Sequence, residues 1–158
     1  MKTAIAIAAL AIALTGASAA FATAPTTEVI SESYGPFTQS CGSFEIEYSG
    51  TNENRITTYY DQEGNPIRIV AHKQLRETDR NTSSGKTLEV RGNVTIVLDL
   101  AAGTETYNGH LFLANAPGEG VVIQDVGRIT FNPDGSVVVR GPHEVFESQG
   151  AIFCDALG

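Results

Sequence analysis

Apolar and polar positions alternate with a period of two along most of this chain, and turn-forming residues punctuate the alternation. The clearest case is Val121 to Gly141, where two β-rich runs are joined by Asn132-Pro133-Asp134-Gly135, a strong reverse-turn signal. Ser43 to Ser49 likewise puts Phe44, Ile46 and Tyr48 on one face and Glu45 and Glu47 on the other. Thr26 to Ser33 is a weaker strand, broken by Gly35-Pro36. Arg55 to Asp61 ends in the turn Gln62-Glu63-Gly64-Asn65-Pro66, and Ile67 to Glu77 follows as a long strand. After the loop Asn81 to Lys86, Thr87 to Leu100 is long enough to need a bend, for which Gly92-Asn93 is the natural place. Ala101-Ala102-Gly103 and Pro117-Gly118-Glu119-Gly120 bracket the run Thr104 to Ala114. Inside that run Asn108-Gly109 reads as a tight turn or as a bulge. Counting back from Pro117-Gly118 puts Gly109 opposite Val126 and beside Gly127, which favours a bend shared by two strands of one long hairpin.

Beyond Gly141-Pro142 the alternation stops, and the tail predicts one short helical turn with Phe153 and Leu157 packing down. No long helical period occurs elsewhere after the first two dozen residues. The pattern predicts an all-β fold: an antiparallel up-and-down β-barrel of about eight strands, closed by one disulfide. The disulfide follows from having two cysteines, Cys41 and Cys154, in a chain that reads as exported, with one way to pair them. A bridge requires their Cα atoms to come within about 7 Å, so the start and end of the domain should meet.

The export reading rests on residues 1–19. Lys2 supplies the positive end, Thr3 to Leu14 the apolar core, and Ala17-Ser18-Ala19 a small-residue cleavage pattern, with Ala20-Phe21-Ala22 as a later alternative. The apolar run falls short of the ~20 residues of a membrane span. Residues 20–40 then form an N-terminal segment with the weak strand, and 41–158 the barrel domain; roughly 135 residues suffice for one core. The formal charge is −8, with 18 acidic and 10 basic side chains. Loss of Lys2 with the leader makes it −9, which opposes binding to nucleic acid or to an anionic membrane. The mature protein is expected to be extracellular and monomeric, without membrane insertion.

At Cys41-Gly42, Arg55-Ile56-Thr57-Thr58, Gly64-Asn65-Pro66, Pro117 to Val122, Val126-Gly127-Arg128-Ile129, Gly141-Pro142-His143 and Phe153-Cys154, the chain resembles a bacterial family of small secreted proteins of actinomycetes. These consist of a signal peptide and one two-cysteine β domain. The resemblance covers nearly all of the mature chain and implies no activity. In architecture the pattern is similar to lipocalin-like and allene-oxide-cyclase-like barrels, an analogy of fold alone.

Candidate chemistry comes from register. Counting from the turns near Asn65 and Ala102 pairs His72 with Val94, Val94 with His110, and His110 with Asp125. Ile56, Thr58, Val70, Ile96 and Leu98 share that face, with Tyr60 and Arg68 nearer one mouth. If the face is interior, His72, His110, Asp125, Tyr60 and Arg68 form the polar groups of a ligand cavity. A slip of one residue would send the set outward. No spacing supports a metal site, Glu45 and Glu47 read as a solvated face, and Ser83-Ser84-Gly85-Lys86 lacks the glycine spacing of a phosphate loop. No Ser-His-Asp or Cys-His arrangement is visible. The expectation is a binding barrel for a small, partly apolar ligand, without a cofactor. The alternatives are a cofactor-independent cyclase or isomerase using the His/Asp level, and an interaction protein with a filled barrel.

Overall fold

In a computed structural model, residues 23–158 are described; the leader expected at 1–19 and both cleavage patterns lie outside the described residues. Seven strands, β1 (Thr26–Ser40), β2 (Glu45–Tyr60), β3 (Pro66–Asn81), β4 (Thr87–Asp99), β5 (Thr104–Ala116), β6 (Gly120–Phe131) and β7 (Val137–Arg140), precede two short helices, α1 (Glu144–Glu147) and α2 (Ala151–Leu157). The strands form one sheet in chain order, every neighbouring pair antiparallel. The all-β, up-and-down expectation holds.

Closure does not. Among the described residues there are seven strands rather than eight, and β1 and β7 do not pair with each other. The reason lies at the end of β7. After four residues the chain meets Gly141, at φ 100°, and Pro142, which has no amide hydrogen for a ladder. It stays beside β6 as far as His143, the Val126 amide donating to the Pro142 carbonyl at 2.8 Å, and then continues as helices laid on one face. The two ends are joined by the disulfide instead: Cys41, before β2, is bonded to Cys154 in α2 across 113 residues, with Cα atoms 5.4 Å apart.

Two strands are longer than alternation suggests. The expected runs Ser43–Ser49 and Arg55–Asp61 are one strand, because the turn-like residues between them are paired on both sides: Gly50 faces Tyr34 of β1 and Glu77 of β3. In a strand held by two neighbours, pairing overrides composition. β1 likewise runs past Gly35-Pro36 to Ser40, absorbing them as an irregularity between Tyr34 and Phe37. The bend expected at Gly92 is present as a register shift between Arg91 and Asn93. β5 is one strand in which Gly109 faces Gly127, although the shift itself falls at Leu111, between His110 and Phe112. Both glycines have left-handed φ, 127° and 135°. A Cβ on Gly109 would lie 2.5 Å from the Asn93 carbonyl oxygen.

The helices divide the sheet into an inner and an outer face. At one end of the inner face Ile46, Leu88, Val90, Ala114, Ala116 and Ile123 form the core, closed by Leu157 of α2. Asn81 Nδ2 donates to the Leu157 carbonyl at 3.0 Å, and Phe153 packs edge-on against Phe112 at 6.1 Å between ring centres. Farther along the same face Ile56, Ile69, Ile96 and Leu98 are only half-buried. Between the covered end and the bare end lies a trough.

Candidate functional site: a glycine-floored trough on the inner face

Residues facing each other across a ladder share a face, so the inner surface can be built level by level. One level holds Tyr34, Gly50, Glu77 and Val90; the next holds Asn52, Leu75 and Gly92; the third holds Lys73, Val94 and Gly109. Glycine recurs on this face in β2, β4, β5 and β6, at Gly50, Gly92, Gly109 and Gly127; a Cβ at any of them would meet neighbouring backbone, and at Gly92 the missing side chain leaves the middle of the face open. What remains is a cavity of about 450 Å³. Its floor is Leu75, Gly92, Val94 and Ile96, and its walls carry Tyr34, Asn52, Glu77, Lys73, Tyr107 and Phe112.

The polar end depends on Gly50. Tyr34 stands directly across from it and reaches over the bare backbone to β3, where its hydroxyl donates to Glu77 Oε2 at 2.5 Å. A Cβ on Gly50 would sit 2.8 Å from that hydroxyl and would overlap the Arg76 carbonyl oxygen. Asp79, two residues beyond Glu77 on the same face, is 4% exposed. Burial, and then the adjacent Glu77 charge, raise its carboxyl from the usual carboxylate range to about 8. Burial, and then the hydrogen bond to and charge of Glu77, also hold the Tyr34 phenol well above its ordinary value. Two buried acceptors have no partner, Asn52 Oδ1 and Asp79 Oδ1. At the opposite wall Tyr107 donates to Glu105 Oε1 at 2.6 Å, and its phenol is pushed up to about 12 by burial and that hydrogen bond.

None of the five residues selected from the sequence lines this trough. His72 pairs with Thr95, not Val94, and its Nδ1 lies 3.0 Å from Thr95 Oγ1 on the exposed outer face. His110 pairs with Asn93 and Val126, so it too faces outward, in a recess of about 270 Å³ beside Arg76 and Arg91. Arg68, opposite Asp99, is on that outer face as well. Tyr60 lies at the bare end with its hydroxyl 2.8 Å from Thr26 Oγ1. Asp125 does face inward, but it is 1% exposed and held by His143, whose Nδ1 contacts Asp125 Oδ1. Phe146 N–H donates to Asp125 Oδ2 at 3.2 Å, and His143 Nε2 lies 3.1 Å from the Arg140 carbonyl oxygen. The expected His72/His110/Asp125 level is therefore not assembled. The physical reason lies in the turns. Arg80 faces Thr87, Asp99 faces Thr104 and Ala116 faces Gly120, so each connection is centred half a residue from the position counted, and each ladder slips by one.

Asn52 was hidden in a stretch with loop composition, and Tyr34 lay beyond the expected end of the first strand. A usable signal was present in the glycines, which recur in neighbouring strands. Among the described residues, no group of three His, Cys, Asp or Glu side chains is placed to hold a metal ion, and no helix is long and apolar enough to cross a membrane.

Fold and site together define a disulfide-tied antiparallel meander with a helical cap over one end of its inner face and an open trough beside the cap. Comparison of the chain with protein-family models, with curated proteins and with solved structures finds no match in any of the three.

Proposed function

We propose that this is an exported binding protein that takes a small, partly apolar molecule into the inner-face trough. The observation that carries the reading is the trough itself. Its volume of about 450 Å³ lies within the range of small-molecule sites, its floor is aliphatic, and Tyr34, Asn52 and Glu77 converge at one end. The isomerase-like alternative required His72 or His110 beside Asp125, and those side chains point to opposite faces of the sheet. Binding is accordingly favoured over catalysis, and a cavity favours it over a filled interior.

The test is a titration with Nile red, a neutral apolar dye, against the disulfide-intact protein and against Ile96→Trp, which fills the trough from its half-buried floor. Saturable binding by the parent protein, weakened about tenfold or more in the variant, is the expected outcome. Equal binding by the two proteins, with unchanged far-ultraviolet circular dichroism, would refute it.

A further inference from the structure

We propose that the trough selects a molecule carrying a protonated amine on an apolar body, with the amine held between Glu77 and Asn52; this rests on the trough being the binding site. The polar end presents the Glu77 carboxylate and the Asn52 amide oxygen as acceptors. Asn52, on the cavity wall, has its Oδ1 buried with no partner. Glu77 receives a hydrogen bond from Tyr34 at one oxygen. Buried acceptors are normally satisfied, so the group that completes this end must bring hydrogens. An ammonium brings three N–H donors and a positive charge, a hydroxyl brings one donor and no charge, and a carboxylate or phosphate dianion brings neither.

Three other features agree. Tyr34 and Phe112 also line the cavity, and aromatic rings attract a cation. Lys73 lies four residues from Glu77 on β3, about 13 Å along the strand, at the far side of the Leu75 level. It disfavours a cation there and so orients the ligand with its amine toward Glu77. The chain's net charge of −8 also raises the local concentration of cations.

The experiment is calorimetric titration at constant ionic strength with three probes of equal chain length: octylammonium, octanol and octanoate. Octylammonium is expected to bind tightest and octanoate weakest. Glu77→Gln should weaken octylammonium about tenfold or more while octanol stays within about twofold, since a charge-assisted contact is removed and the apolar floor is kept. Asn52→Asp, which adds a second carboxylate at the same place, should tighten octylammonium. Glu63→Gln, on an exposed turn, should change nothing and so controls for the general charge of the protein. Octanol binding as tightly as octylammonium, or octylammonium indifferent to Glu77→Gln and Asn52→Asp, would overturn the amine selection and leave the trough as a site. Failure of all three probes to bind would remove both.

Discussion

Replacing Asp79 with asparagine should make the protein more stable, and by an amount that depends on pH. Asp79 is 4% exposed, its Oδ1 has no partner, and Glu77 lies next to it on the same face. Its carboxyl titrates near 8 in the fold against 3.8 as a free group, with burial the main cause and the Glu77 charge the next. Below the lower value both folded and unfolded chains are protonated at this position, and the residue carries no ionisation penalty. Between the two values the unfolded chain ionises while the folded one keeps its proton. The native state then holds more protons, so wild-type stability falls as pH rises. Above about 8 the penalty levels off. An asparagine side chain at this position cannot ionise, and its amide supplies a donor beside Glu77. The advantage of Asp79→Asn should be near zero at pH 4, grow through pH 6, and reach about 1–3 kcal/mol at pH 8, the scale set by a buried polar group without a full set of partners. Each kcal/mol corresponds to roughly 3–5 °C in Tm for a chain of this size. The assay is urea unfolding at the three pH values followed by circular dichroism, since the chain has no tryptophan. A gain of equal size at pH 4 and pH 8, or a loss at pH 8, would refute the reasoning.

Three further outcomes follow from the packing. His143→Ala leaves the Asp125 carboxylate buried without its ring partner and should cost about 3–5 kcal/mol; hydrogen exchange should speed most in α1, whose Phe146 amide is tied to the same carboxylate, and a cost below about 1 kcal/mol would contradict this. Gly50→Ala drives a Cβ against the Arg76 carbonyl and the Tyr34 hydroxyl; it should lower the urea midpoint and the tyrosine environment should change, whereas a neutral result would mean that Tyr34 does not depend on the bare backbone. Replacing both Cys41 and Cys154 with serine should lower stability by about 2–5 kcal/mol, the range for a native bridge in a small domain, and an unchanged unfolding midpoint would show that the Asn81–Leu157 contact and the core hold the tail without it.

Much of this was already in the order of residues. Strand polarity, the turns at Asn65, Gly85, Gly103, Gly118 and Gly135, the helical tail and the pairing of Cys41 with Cys154 follow from local chemistry: period-two alternation, glycine at positive φ, and the only two thiols present. The glycines at positions 50, 92, 109 and 127 were also visible, with the facing of Gly109 and Gly127 recoverable to within one residue. What needed the tertiary structure was everything that depends on register and closure. Moving the centre of a turn by half a residue slips its ladder by one and exchanges the two faces of a strand, so His72 and His110 went outward while Lys73, Leu75 and Glu77 turned inward. The joining of Tyr34 to Glu77 across Gly50, and of Asp125 to His143, links residues 43 and 18 positions apart in the chain, a proximity that no local pattern encodes. Whether the sheet closes was decided after β7, where the chain follows β6 only as far as His143 and the buried Asp125 then holds both His143 and the Phe146 amide, so that helices rather than an eighth strand cover one end of the inner face.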